Sequence, residues 1–175
     1  KRNKEEKKGA KTERDKVKTT DGAADSQFVL YVSKTGDVLA VGAAGSDRGR
    51  LYKSWAAYLY KVEQNGSITY LDKVTAPDGA ANDQFGYSVS QSGDILVVGA
   101  RYSDPGGLSD AGAAYLYKVE QNGSITYLDK VTAPDGAAYD YFGNSVSQSG
   151  DLLAVGVPYS DPGGLSDAGA AYLYK

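Results

Sequence analysis

Residues 85–99 read FGYSVSQSGDILVVG, and this stretch decides the fold. In its first half, large side chains alternate with serines, which is the period of a strand with one buried face. In its second half, residues 95–98 are apolar without a break, as in a strand that is covered on both faces. A Ser-Gly-Asp turn joins the two halves. The stretch is therefore predicted to form a β-hairpin.

The same hairpin recurs at residues 142–156 and, in a divergent form, at residues 28–42. Tyr58, Tyr115 and Tyr172 are equivalent residues of successive copies and mark a period of 57 residues. Copies two and three differ at seven positions only: 82/139, 84/141, 87/144, 95/152, 97/154, 100/157 and 101/158. Such a period indicates a tandem array in which one copy cannot bury its faces alone.

Each full copy is predicted to form four strands, and no helical period is present. In the second copy these strands span residues 85–91, 94–100, 113–120 and 124–132. The third strand is expected to place one set of side chains on one face: Ala113, Tyr115, Tyr117 and Val119. Asn122-Gly123 then predicts a type I′ hairpin turn. The predicted fold class is all-β and β-propeller-like, with four-stranded antiparallel blades, a 57-residue repeat and three blades per chain.

The repeat register predicts four segments: a polar, basic segment at 1–18, a divergent first blade at 19–61, a second blade at 62–118 and a third at 119–175. Residues 1–61 carry 14 basic and 8 acidic side chains, whereas the second copy carries 3 and 7, and the third carries 2 and 7. The basic segment is interpreted as a polar cap, a latch strand or a disordered tail. Pairing of the basic copy with an acidic copy of another chain is a further alternative.

The composition argues against several classes of protein. Histidine, cysteine and methionine are absent, which removes disulfides, thiol nucleophiles, the usual zinc ligands and the commonest general base. Repeated carboxylates suggest a glycosidase, but any repeat protein yields acids in symmetric sets, and no pair differs from the next. We therefore predict no enzyme. Lysines mixed with acids, without interleaved aromatic residues, predict no nucleic-acid partner.

Membrane and export features are also missing from the sequence. No apolar run approaches the length of about 20 residues that crosses a bilayer, so no membrane span is predicted. Residues 1–18 are charged throughout and show no signal peptide.

The repeated motifs resemble the FG-GAP repeat of integrin-α-like and bacterial surface β-propellers. The resemblance lies in FGYSV at 85–89 followed by ILVVGA at 95–100, and in FGNSV at 142–146 followed by LLAVGVP at 152–158. It covers the chain from Asp21 to the C-terminus. It implies extracellular or cell-surface placement, binding of proteins or adhesion, and no catalysis.

Many proteins of the family that these repeats resemble carry a calcium-binding loop between the first two strands of a blade. Here that segment is shortened to QSGD at 91–94, and one carboxylate does not provide the 6–8 oxygens that calcium takes. No cofactor is predicted, and calcium is kept as an alternative at four residues beside the Pro-Gly-Gly loops: Asp104, Asp110, Asp161 and Asp167. Turn chemistry explains the same residues without a metal.

Aromatic residues beside the loops suggest an exposed interaction surface. The candidate residues are Tyr102, Tyr139, Tyr141, Tyr159 and Trp55. Cross-strand stacking inside the fold is the alternative interpretation.

Three blades do not close a ring, since the resembled propellers have about seven. The chain ends after a predicted third strand and begins where a fourth belongs, so a strand of one chain could complete the sheet of another. We expect a structural or protein-interaction module that self-associates as a homo-oligomer, two chains giving six blades, or that is a fragment of a larger propeller. The alternative is an extracellular, calcium-assisted adhesin or carbohydrate-binding domain.

Overall fold

The structure is a computed structural model, and it describes residues 16–17, 28–43, 55–80 and 82–175. The described residues form β-strands joined by turns and loops. In chain order the strands are β1 (Phe28–Thr35), β2 (Val38–Ala43), β3 (Ala56–Val62), β4 (Ile68–Val74), β5 (Phe85–Ser92), β6 (Ile95–Ala100), β7 (Ala113–Val119), β8 (Ile125–Val131), β9 (Ser145–Ser149), β10 (Leu152–Val157) and β11 (Ala170–Tyr174). Single 3-10 turns lie at Pro105–Gly107 and Pro162–Gly164. No helix in the described part is long and apolar enough to cross a membrane.

The strands form three antiparallel sheets in chain order. Sheet 1 is β1-β2-β3-β4, sheet 2 is β5-β6-β7-β8, and sheet 3 is β9-β10-β11. The all-β, antiparallel prediction is confirmed, but the prediction of four strands in every sheet is wrong for sheet 3. Among the described residues, β11 has a neighbouring strand on one side only.

The sheets are offset from the segments that the repeat register predicts. Segments 62–118 and 119–175 begin with β4 and β8, but these strands complete sheets 1 and 2. Sheets 1 and 2 therefore take their outer strands from the next segment, as the four-strand interpretation of 85–132 implied. Of the predicted basic segment 1–18, only Lys16 and Val17 are among the described residues. Val17 packs against the outward face of sheet 1.

Apolar layers between the sheets form the core. One layer lies between sheets 1 and 2 and is built around Leu59, Phe85 and Tyr115. A second lies between sheets 2 and 3 and includes Phe142 and Val155. The predicted face of β7 is confirmed, because Ala113, Tyr115, Tyr117 and Val119 all belong to the first layer. Sheets stacked in this way bury apolar surface that a single sheet would expose.

Glycines set the close approach of one sheet to the next. A Cβ at Gly42 would lie 2.0 Å from the carbonyl oxygen of Gly86, and a Cβ at Gly99 would lie 2.1 Å from that of Gly143. Gly86 itself has φ of 93°, at a bulge between Phe85 and Ser88. The Phe-Gly and Gly-Ala dipeptides are thus the two sides of one junction between sheets. Only glycine allows the backbones to come this close.

Hydrogen bonds tie the linkers between sheets to the strands of the following sheet. The hydroxyl of Tyr115 donates to Asp78 Oδ1 at 2.9 Å, and that of Tyr117 donates to the Thr75 carbonyl at 3.0 Å. Lys130 Nζ pairs with Asp78 Oδ2 at 2.9 Å. In the next copy, Tyr172 and Tyr174 donate to Asp135 and Thr132. The Tyr-Leu-Tyr motif therefore anchors each linker.

Candidate functional site

One end of the sheets gathers the loops that differ most between copies. Antiparallel pairing places the start of β5 beside the end of β6, with Phe85 opposite Ala100. The residues just outside these two positions therefore lie at the same end of sheet 2. The same pairing places the segment before β9 near the turn after β10, where the backbone N–H of Tyr159 donates to the carbonyl of Asp140.

At this end, five tyrosines and one arginine form a continuous line of contacts across all three sheets. We call it the tyrosine–arginine row, and its members are Tyr31, Tyr87, Arg101, Tyr102, Tyr141 and Tyr159. Ring centroids are 5.5 Å apart for Tyr31 and Tyr87, 5.0 Å for Tyr102 and Tyr141, and 5.2 Å for Tyr141 and Tyr159. The two ends are open to solvent, because Tyr31 is 44% exposed and Tyr159 is 47% exposed.

Arg101 lies at the centre of the row. Its guanidinium carbon is 3.6 Å from the ring centroid of Tyr87 and 4.6 Å from that of Tyr102. Its Nε donates to Gln84 Oε1 at 2.6 Å, and Nη1 donates to Asn144 Oδ1 at 3.4 Å. None of the ion pairs among the described residues includes Arg101. The guanidinium is thus held by rings and amides without a carboxylate partner.

Burial among the rings affects the tyrosine hydroxyls. It raises the pKa of Tyr141, and the neighbouring Tyr102 adds to the effect. Burial, together with Tyr87, also raises the pKa of Tyr31. Both hydroxyls therefore stay protonated at neutral pH, and that of Tyr141 is available as a hydrogen-bond donor.

The differences between copies two and three are concentrated at this site. Three of the seven exchange apolar residues of similar kind, at 95/152, 97/154 and 100/157. The other four are at 82/139, 84/141, 87/144 and 101/158. Three of these four pairs supply residues of the row or its hydrogen-bond partners. The differences between copies two and three are therefore the sequence signal from which Arg101 and Tyr87 could have been predicted.

The structure brings together part of the predicted interaction surface. Tyr102, Tyr141 and Tyr159 are members of the row. Tyr139 is 58% exposed but makes no ring contact with the row within the described part of the chain. Trp55 is half-buried and packs against the layer between sheets 1 and 2. Tyr31, Tyr87 and Arg101 are additional members that the sequence interpretation missed.

The candidate calcium residues close loops. Asp104 Oδ1 accepts a hydrogen bond from the backbone N–H of Asp110 at 2.7 Å, and Asp161 accepts one from Asp167 at the same distance. Partial burial, and then the charge of Asp104, raise the pKa of Asp110. Among the described residues, no group of three or more acidic side chains converges as a metal site would require. The turn interpretation accounts for these contacts.

A polar cleft lies at the opposite end of sheets 1 and 2, between their hairpin turns. Its volume is about 490 Å³, and its lining includes Asp37, Lys61, Gln91 and Glu120. The amide of Gln91 is buried, and neither of its polar atoms has a hydrogen-bond partner among the described residues. This amide can offer one acceptor and two donors to a small polar molecule.

The outward face of sheet 3 is the third notable surface. Leu173 is 74% exposed, whereas its counterpart in sheet 1, Leu59, is 0% exposed under sheet 2. Leu152 is exposed as well, although its counterpart Ile95 packs against sheet 3. Gly156 corresponds to Gly42 and Gly99, yet a Cβ there would meet only atoms of Ser145, chiefly its hydroxyl oxygen.

Repeated junctions, stacked antiparallel sheets and linkers anchored by tyrosines define a tandem-repeat protein of the β-propeller type. Residues 69–117 and 126–174 each match the model of the FG-GAP repeat. Since these matches cover more than half of the sequence, the chain belongs to the FG-GAP repeat family. A comparison with curated proteins gives no match. Each matched segment takes in one outer strand and the first three strands of the next sheet.

Proposed function

We propose that the protein is a non-catalytic, protein-interaction module of the β-propeller type that self-associates through the outward face of sheet 3. The exposed Leu173 carries this proposal, because the equivalent Leu59 is buried and the equivalent Leu116 is partly buried where another sheet follows. The surface that fits this face is another FG-GAP sheet, and we propose that a second copy supplies it. Two chains would then contribute six sheets to one ring.

The free edge of β11 supports the same partner. β3 and β7 pair on both sides, whereas within the described part of the chain β11 pairs with β10 alone. In the repeat register, residues 11–17 correspond to β4 and β8. Val17 packs against sheet 1 as Val74 and Val131 pack against sheets 2 and 3. Residues 11–16 lie outside the described part except for Lys16, and we propose that this segment adds to β11 of another copy.

Charge complementarity favours this arrangement. Residues 1–18 contain nine basic and four acidic side chains, and the third copy carries 2 basic and 7 acidic ones. A basic strand at an acidic edge speeds and orients association, and the effect weakens with salt. Placement outside the cell, which the family resemblance implies, belongs to the same proposal.

The test is the molar mass in solution, measured by sedimentation velocity over a range of protein concentrations. We expect the wild-type chain to dimerise, and we expect Leu173→Glu and Gly156→Val to remain monomeric. Circular dichroism checks that Gly156→Val still folds, because a Cβ at this position also comes within 2.2 Å of the Ser145 hydroxyl oxygen in the monomer. Leu128→Glu, on the exposed outer strand β8, is the matched control and should dimerise. A wild-type chain that stays monomeric at every concentration would contradict the proposal.

A further inference from the structure

The tyrosine–arginine row is a second surface, separate from the outward face of sheet 3, and its chemistry defines a ligand. We propose that the row binds an extended acidic peptide, with Arg101 receiving an Asp or Glu carboxylate and the flanking tyrosines receiving the neighbouring apolar side chains. This site does not depend on self-association.

Neighbouring residues hold the guanidinium of Arg101 in a fixed orientation before any ligand binds. Gln84 and Asn144 each accept a hydrogen bond from the guanidinium, which fixes its plane. Tyr87 supports one face. An arginine has five N–H donors, and these contacts use two of them. A guanidinium that is already oriented, half-buried and without a carboxylate loses little entropy on binding one, and two parallel hydrogen bonds can form.

The hydrogen-bond donors around the row favour a carboxylate as the ligand group. The amide oxygens of Gln84 and Asn144 are occupied by Arg101, so their NH₂ groups remain as donors. The hydroxyl of Tyr141 adds a further donor, since burial raises its pKa. A carboxylate is an acceptor only and fits this set.

The orientation of the tyrosine rings favours a peptide as the ligand. Tyr141 and Tyr159 meet edge to face at 88°, and Tyr102 and Tyr141 are tilted by 53°. Rings in contact at such angles form an uneven surface of ring edges and faces rather than one flat platform. The apolar side chains of a peptide can pack on such a surface, whereas the face of a sugar ring stacks on a flat aromatic surface. The geometry therefore favours a peptide over an acidic glycan.

The charge of the surroundings is consistent with a selective site. The second and third copies are acidic overall, and Arg101 is one of only five basic residues in positions 62–175. An acidic ligand would be repelled from most of this surface and attracted at one point. Arg101 therefore fixes the register of the peptide along the row.

The experiment begins with selection of random seven-residue peptides, displayed on phage, against the full wild-type chain. We expect the enriched sequences to contain an Asp or Glu flanked by aromatic or large apolar residues. Synthetic versions are then measured by fluorescence polarisation. Arg101→Gln should weaken binding at least 10-fold. Replacing the peptide carboxylate by its amide should weaken wild-type binding equally and should change binding to the Arg101→Gln variant very little.

Controls separate this site from other effects. Tyr159→Ser, at the exposed end of the row, should weaken binding several-fold without loss of folding, as shown by circular dichroism. Tyr127→Ser, on outer strand β8, should bind normally. Leu173→Glu should also bind normally, even if self-association fails. The proposal is overturned if no acidic sequences are enriched, if the two substitutions act additively, or if trigalacturonate binds at the row and acidic peptides do not.

Discussion

Tyr139 illustrates how a single residue of the third copy differs from its counterpart. Its φ is 69°, and the equivalent Asn82 in the second copy has φ of 74°. Both lie in the left-handed region, which asparagine tolerates and a bulky side chain does not. Tyr141, with φ of 61°, likewise replaces Gln84 of the second copy, and both residues have a positive φ. Tyr141 gains ring contacts in the row, whereas Tyr139 is largely exposed.

We expect Tyr139→Asn to raise the free energy of unfolding by about 0.5–1 kcal/mol, because it removes backbone strain and little packing. Asn82→Tyr should lower it by a similar amount. Both values can be measured by urea denaturation. Tyr127→Asn, in an extended strand, is the control and should be destabilising. A destabilised Tyr139→Asn variant would show that the tyrosine makes a compensating contact.

At the scale of elements, the carboxylate of Asp78 helps to hold the linker between β4 and β5 against sheet 2. Partial burial acts to raise the pKa of Asp78, but hydrogen bonds from Lys130 and Tyr115 outweigh it and hold the pKa below its ordinary value of 3.8. A carboxylate with a lowered pKa in the folded state stabilises the fold above its unfolded pKa. This contribution is lost as the pH falls through the folded pKa.

Asp78→Asn should therefore lower stability at pH 7 and have a smaller effect near pH 3. The expected change at pH 7 is less than about 1 kcal/mol, because the side chain of Asp78 is 57% exposed and solvent screens the pair. Thermal unfolding at both pH values tests this. Asp129→Asn, on the exposed face of β8, serves as the comparison. An equal effect of Asp78→Asn at both pH values would contradict the assignment.

At the scale of the whole molecule, the three sheets differ in how well they are covered. Sheet 2 is covered on both faces, whereas no described residue covers the outward face or the outer edge of sheet 3. In repeat proteins, the free energy of unfolding is approximately the sum of a contribution from each repeat and a contribution from each interface between neighbouring repeats. Sheet 3 should therefore be the least stable part of the monomer among the described sheets.

Hydrogen exchange tests this expectation. Backbone amides of β11 should exchange faster than those of the equivalent strand β7 in dilute solution, because β7 is paired on both sides. Protection of β11 should rise with protein concentration in the wild-type chain and should not rise in Leu173→Glu. Equal protection of β7 and β11 in the monomer would indicate that sheet 3 is covered by another part of the chain.

Much of this fold could be predicted from the sequence, because it depends on local patterns. Alternation placed Tyr115 and Tyr117 on the same buried face, and the 57-residue period predicted the stacked sheets. The site was harder to predict. Contacts such as Arg101 with Tyr87, or Tyr102 with Tyr141, depend on how neighbouring sheets and their loops are rotated, and strand periodicity contains no information on this rotation.

The junction between Gly42 and Gly86, repeated by Gly99 and Gly143, has a consequence for how such a gene can change. The second and third copies each carry both sides of the junction, whereas the first has Val29 at the position of Gly86. A duplicate of the second or third copy therefore brings both of its own contact surfaces with it. Recombination between the second and third copies would lengthen or shorten the encoded array by whole units. Each product would keep every remaining junction intact, so the number of units can drift while the interfaces stay the same.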